Sequence, residues 1–140
     1  METPALLNAI QGADPVKTTA AAVEALYATA HWLLERERVP DATVAFRVML
    51  LRVPTDERSW LGLGECHERL AQHNVALELY GAGTVAVPRC ARIHLARARV
   101  LRRLERWDEA ARALEDAQSA ADESGDLDLI ALVAQYAKVQ

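Results

Sequence analysis

Three groups of side chains could do chemistry if the fold brought them together. Glu65-Cys66-His67-Glu68 sets a thiol beside an imidazole and two carboxylates, the ingredients of a nucleophile and its base. Cys90 and His94, four residues apart, would share one face of a helix, and with Cys66 they would offer three ligands to zinc. The arginines at 89, 92, 97, 99, 102, 103 and 106 form a local run of positive charge that could meet a phosphate backbone.

Geometry and composition weigh against each. Adjacent helical residues point about 100° apart, so Cys66 and His67 cannot easily exchange a proton. Structural zinc sites draw on denser ligand runs, which leaves Cys66, Cys90 and His94 as core or surface residues. No aromatic residues interleave with the arginines to stack on bases, and acidic residues from Glu105 to Glu123 follow as ready partners. The arginines therefore read as a charged helix face whose best functional target is an acidic protein segment. A net charge of −4 and an isoelectric point near 5.6 give the molecule no electrostatic reason to seek nucleic acid or an anionic membrane. The expectation is a protein that catalyses nothing and uses no metal or cofactor.

The elements that must position these residues follow from composition and period. A chain of 140 residues, half of them apolar, suits one helical domain. No apolar run approaches the roughly 20 residues of a membrane span, and Met1-Glu2-Thr3-Pro4 lacks a basic secretory start, so a cytoplasmic location with reduced, buried cysteines is expected. Ala42, Ala76 and Ala110 stand 34 residues apart, followed four residues later by Phe46, Tyr80 and Leu114, then by Met49, Gly83 and Ala117. A period of 34 is that of the tetratricopeptide repeat (TPR), a helix-turn-helix unit that buries its apolar face only by stacking on copies of itself. The expected architecture is all-α: three tandem TPR repeats over 23–56, 57–90 and 91–124, a capping helix over 126–139, and an N-terminal arm over 1–14, in a right-handed superhelical solenoid.

Local signals set the helix ends. Asp14-Pro15 reads as the start of a long first helix running to about Arg36, Pro40 opens its partner, Asp56 caps the helix holding Trp60, and Ser124-Gly125-Asp126 breaks the chain before a last helix. Leu6, Leu7 and Ile10 share one face of the arm, too short to be a stable helix unless docked. Gly64, Ala76 and Gly83 are small where helices cross, while Trp60 and Tyr80 fill the space between. Trp32 and Trp107 are expected to pack between repeats, and an exposed Trp32 would mark a dimer surface.

The run Ser59-Trp60-Leu61-Gly62-Leu63-Gly64-Glu65-Cys66, followed by Ala76, Tyr80 and Gly83, resembles the class II chaperones of bacterial type III secretion, and Leu26-Tyr27, Ala30 and Asp41-Ala42 match the opening helical pair of that family. The resemblance reaches about Asp122. It implies a cytoplasmic chaperone that holds an extended segment of secreted, hydrophobic translocator proteins in a concave groove, keeps them soluble and export-competent, and forms a homodimer through its N-terminal helices. The alternatives are a general TPR adaptor and a chaperone of another secretion component, such as a needle subunit. His31, Leu34, Leu61 and Leu95 stand where such grooves often carry aromatics.

Helix geometry gives a groove independently. Residues four and seven apart share a face, so beside the buried stripe of each repeat's first helix runs a second stripe, which lines the concave side of a TPR superhelix. That stripe holds Glu24, Tyr27, His31, Leu34 and Glu35, then Arg58, Leu61, Glu65, Glu68 and Arg69, then Arg92, Leu95, Arg99, Arg102 and Arg103. The groove candidates are Tyr27, His31, Leu34, Arg58, Leu61, Glu65, Arg92, Leu95, Arg99 and Arg102, running from apolar to strongly basic. Two or three apolar anchors at about 1.5–3 kcal/mol each do not by themselves outweigh about 1–2 kcal/mol per ordered peptide residue, so backbone hydrogen bonds and charge must help; with them, micromolar affinity for a short peptide is expected, about −8 kcal/mol.

Overall fold

A computed structural model describes residues 19–139, and within them seven α-helices follow one another with short turns. They are α1 (Ala20–Glu35), α2 (Val39–Arg52), α3 (Glu57–Arg69), α4 (His73–Ala86), α5 (Ala91–Arg103), α6 (Trp107–Ser124) and α7 (Leu127–Lys138). Each helix packs on the next, and the first helices of successive pairs also touch, α1 on α3 and α3 on α5. This is the stacking of a TPR solenoid, and no strand occurs among the described residues.

The termini of the helices have local causes. Thr19 is extended and its side chain accepts from the Ala22 N–H, so α1 begins there. A first helix continuous from Pro15 is thereby corrected: the extended Thr19 interrupts it, and positions 14–18 lie outside the described residues, as does the arm. Pro40 sits in the first turn of α2. Asp56 accepts from the Arg58 N–H at the start of α3, and Asp126 accepts from the Asp128 and Leu129 N–H groups at the start of α7. Gly125 ends α6 with a left-handed backbone (φ 69°), which glycine adopts without a steric penalty.

Inside each of the three helical pairs the turn passes through one left-handed residue. These are Glu37, Ala71 and Glu105, at φ 59°, 59° and 60°. They recur at the 34-residue spacing although none is glycine, so each turn carries a Cβ in a region that L-residues disfavour.

The core is built from the small and large residues of the repeat. Ala30, Ala42, Phe46, Leu63 and Cys66 join in one buried cluster, while Ala76, Tyr80, Ile93, Val100, Leu101, Leu114 and Val133 join in a second that reaches α7. Glycine is required at two crossings. A Cβ at Gly62 would lie 2.2 Å from the Phe46 ring, and one at Gly64 2.2 Å from the Tyr80 ring. The Trp60 indole packs beside Gly83 and donates from Nε1 to the Pro54 carbonyl at 2.8 Å, tying the α2–α3 turn to α3. The two other tryptophans do not pack between repeats: Trp32 is 46% exposed, with the Arg36 guanidinium 4.0 Å over its ring, and Trp107 is 60% exposed.

Candidate functional site

The concave face is made by α1, α3, α5 and α7, and its two halves differ. In the first half, Arg58 reaches back from α3 to α1. Its guanidinium donates to both Glu24 carboxylate oxygens at 3.0 and 2.7 Å and to Asp56 at 2.8 Å, and it lies 4.4 Å over the Tyr27 ring. Hydrogen bonds from Arg58 hold the carboxyls of Asp56 and Glu24 below their usual range and push the Arg58 pKa up. Tyr27 stacks on His31 at 5.8 Å, and His31 pairs with Glu35 at 3.0 Å. Arg69 donates to the Leu34 carbonyl at 3.1 Å and pairs with Glu65 and Glu37.

The second half is open. A cavity of about 460 Å³ lies between α3, α5 and α7, with Leu61, Leu95 and Leu132 as its apolar walls and Glu65, Arg92 and Arg99 at its edges. Glu68 forms part of its lining, with only 17% of its side chain exposed, accepting from the Tyr80 hydroxyl at 2.6 Å and from Arg99 at 3.0 Å. Burial first, and then the Glu68 carboxylate, raise the Tyr80 pKa, so the phenol remains a protonated donor at neutral pH.

Of the ten groove candidates, Leu61, Glu65, Arg92, Leu95 and Arg99 meet around this cavity. Tyr27, His31 and Arg58 share the concave face but are engaged with one another and with Glu24 and Glu35. Two assignments are corrected. Leu34 is buried in the first core cluster, where Leu63 and Phe46 leave it no open side. Arg102 lies 4.4 Å over the Tyr136 ring and donates to the Val139 carbonyl at 3.0 Å, so it fastens α7 instead of facing a ligand. Arg103, in the wider stripe, is likewise turned to His73 at 3.2 Å. The basic end of the groove is therefore held in place more than neutralised: Arg99 pairs with Glu68, whereas Arg102 and Arg103 bond a carbonyl and an imidazole. Its partners come from the preceding pair and from α7, and within the acidic stretch after Glu105 the recorded ion pair is Arg106 with Glu109 at 2.8 Å.

These placements bear on the other chemistries. Cys66 is buried, which raises its thiol pKa, and Cys90 donates to Glu57 at 3.1 Å and is pushed up to about 12 by burial and that carboxylate. Both thiols stay protonated at neutral pH, so neither is a thiolate nucleophile. His67 bonds Gln72 at 2.6 Å and His94 bonds the Pro88 carbonyl at 3.0 Å, each turned to a structural partner. Among the described residues no three His, Cys, Asp or Glu side chains gather as a metal site, and no helix is long and apolar enough to cross a membrane.

No protein-family model and no curated protein matches the sequence. Solved structures do. The Yersinia enterocolitica type III secretion translocator chaperone SycD superposes at a TM-score of 0.75 with 25% identity, over 84% of this chain and 89% of its own. The fold is that of the translocator chaperones. PcrH from Pseudomonas aeruginosa follows at 0.74 with 24% identity over 84% of this chain and 89% of its own, and PcrH in complex with the chaperone binding region of PopB at 0.74 with 23% identity over 85% and 97%. SycD has also been solved as an alternative dimer.

Within the chaperone fold, two contributors to the concave face escaped the stripe drawn from spacing. Leu132 comes from α7, which starts 36 residues after α5 where α5 starts 34 after α3, because α6 runs to 18 residues. The hydroxyl of Tyr80 reaches the cavity from α4, a second helix. Gly62 belongs to the core and not to the groove: it is the seat of the Phe46 ring, and the signal for it is that Ala96, equally small and buried, stands one repeat later.

Proposed function

We propose that this chain is a cytoplasmic chaperone of a type III secretion system that binds hydrophobic translocator proteins, lays an extended segment of the client along its concave face, and keeps it soluble and export-competent without catalysing a reaction. What carries the proposal is the cavity bounded by Leu61, Leu95 and Leu132, a recess of mixed apolar and charged lining left uncovered on a fold shared with PcrH, which has been solved with the chaperone binding region of PopB. Leu61 and Leu95 offer apolar contact, Arg92 and Arg99 offer charge to an acidic neighbour in the client, and the Glu68, Tyr80 and Arg99 network gives the cavity a rigid polar lining. Each apolar anchor supplies about 1.5–3 kcal/mol, and two or three of them together with backbone hydrogen bonds and charge support micromolar binding of a short segment.

The proposal includes a homodimer through the first helical pair. On α2, Val44, Val48 and Leu51 form one exposed stripe at four- and three-residue spacing, whereas the same register positions of α6 hold Arg112, Asp116 and Ser119. Sedimentation of Leu51→Asp against wild type tests this part: a fall to the monomer mass is expected, and a monomeric wild type would remove it.

Pull-down from the native cytoplasm with mass spectrometry, comparing wild type with the Tyr27→Ala, Leu61→Ala double variant, tests the main part. Recovery of a membrane-active secreted protein by wild type alone is the expected result. Capture of the same soluble housekeeping proteins by both would favour a general adaptor.

A further inference from the structure

The 34-residue register allows the setting of Arg58 to be sought again one repeat later. Arg58 is held by three groups: Glu24 on the preceding first helix at 2.7 Å, Asp56 two residues before it at 2.8 Å, and the Tyr27 ring 4.4 Å from its guanidinium. One period on stands Arg92, and the positions of its three holders are Arg58, Cys90 and Leu61. None of the three reproduces the clasp. Arg58 carries the same charge and is turned to Glu24, the Cys90 thiol donates to Glu57 at 3.1 Å, and Leu61 has neither charge nor ring. Arg92 is exposed, and among the described residues its guanidinium has no ion pair, hydrogen bond or aromatic face. The other charged groups of the recess are engaged, Glu65 with Arg69 at 3.1 Å and Glu68 with Tyr80 at 2.6 Å and Arg99 at 3.0 Å. Arg92 is left as the uncompensated charge at the edge of the recess.

We infer that Arg92 selects the client by taking a carboxylate that sits beside an apolar residue, so that the ligand supplies what Glu24, Asp56 and Tyr27 supply to Arg58. The identity of the ligand as a client segment rests on the chaperone reading; the anion seat does not. A guanidinium offers a carboxylate two parallel N–H donors, and such charge-assisted bonds are about twice as strong as neutral ones. Leu61 and Leu132 take the apolar neighbour. Spacing defines the pair. Glu24 and Tyr27, like Arg58 and Leu61, stand three apart on a helix, where side chains are about 5–6 Å from one another. In an extended segment the side chains on one face are two residues apart, at about 6.6 Å. The fitting segment therefore carries an acidic and an apolar residue separated by one other. Arg99 lines the same recess but is not the selector, because it already donates to Glu68, whose side chain is only 17% exposed.

Fluorescence titration of the full chain with anilinonaphthalene sulfonate, an apolar ring system bearing one anion, and with the uncharged phenylnaphthylamine tests the anion seat. Arg92→Gln is expected to weaken the sulfonate about tenfold and the uncharged dye less than about twofold, Arg92→Lys to keep most of the sulfonate affinity, and Arg112→Gln on α6 to change neither. An equal fall for both dyes, no fall for either, or a loss in Arg112→Gln in place of Arg92→Gln would overturn the inference. Pull-down from the native cytoplasm carries the client arm. A client recovered by wild type and Arg92→Lys but not by Arg92→Glu is the expected result, and undiminished recovery by Arg92→Glu would overturn selection through this residue. If wild type itself recovers no secreted client, the chaperone reading fails, and the dye titration still decides the anion seat.

Discussion

The two halves of the concave face share one repeat and one register, yet the first is tied shut and the second is left open. Between α1 and α3, Arg58 spends its donors on Glu24 and Asp56 and its flat face on Tyr27. Between α3, α5 and α7, the polar groups satisfy one another through Glu68, Tyr80 and Arg99, while Leu132 and part of Leu61 stay open to the cavity and Leu95 shows it the edge of a side chain otherwise buried in the core. A solenoid can thus use equivalent positions either to fasten one repeat to the next or to offer surface to a client, and what decides is whether a side chain from the neighbouring repeat reaches across. Leu61 and Tyr27 occupy the same register position and fall on opposite sides of that division.

Changes that break the open half at its foundation should have the largest effect. Gly64→Ala forces a methyl group into the Tyr80 ring, which is buried and cannot swing away, so a loss of about 3 kcal/mol is expected in urea denaturation. Gly81→Ala is the control: its Cβ would meet only the Arg97 Nε at 4.0 Å, and a gain of about 0.5–1 kcal/mol is expected from helix propensity.

Leu61→Ala should leave stability nearly intact but weaken a bound translocator peptide by about 1.5–3 kcal/mol, tenfold to a hundredfold or more by calorimetry. Tyr27→Ala alone should weaken it less, since Tyr27 already has Arg58 over its ring. Equal effects from the two would erase the contrast between the halves.

The tied half should show itself in acid. Asp56 has its carboxyl held down by Arg58, so its contribution is complete above the unfolded value near 3.8 and is lost as pH falls through the lower folded value. Asp56→Asn keeps a capping side chain but does not titrate. The stability difference between wild type and this variant should be level above about pH 5, at about 0.5–1 kcal/mol for a partly exposed pair, and should vanish as pH falls through the carboxylate range. Urea midpoints measured across that range check it.

The smallest effect concerns the turns common to both halves. Ala71→Gly relieves a left-handed residue whose side chain is exposed, and a gain of about 0.5–1 kcal/mol in thermal or urea denaturation is expected.

The spacing of Ala42, Ala76 and Ala110 was enough to read the repeat, and Asp56, Gly125 and Asp126 were enough to read three helix ends, because these features are local or recur at a fixed step. The left-handed turns at Glu37, Ala71 and Glu105 recur just as regularly but left no trace in residue type, since the chain tolerates the strain without glycine. The site was harder to read. A helical stripe identifies which residues can face the groove, and Leu61, Leu95 and Arg99 from that stripe line one cavity. It cannot identify which of them another helix will engage, so Leu34 went to the core and Arg102 to Tyr136. The length of α6 then moved Leu132 into the wall by an offset the 34-residue period does not contain.

The central claim is that the client lies in the open half of the concave face. A photo-crosslinking residue placed at position 61, and in a second variant at the exposed convex position 85, tests it in cells that make the client. Crosslinking of a membrane-active secreted protein from position 61 and not from position 85 is the predicted result. Crosslinking of that protein from position 85 alone would contradict the account.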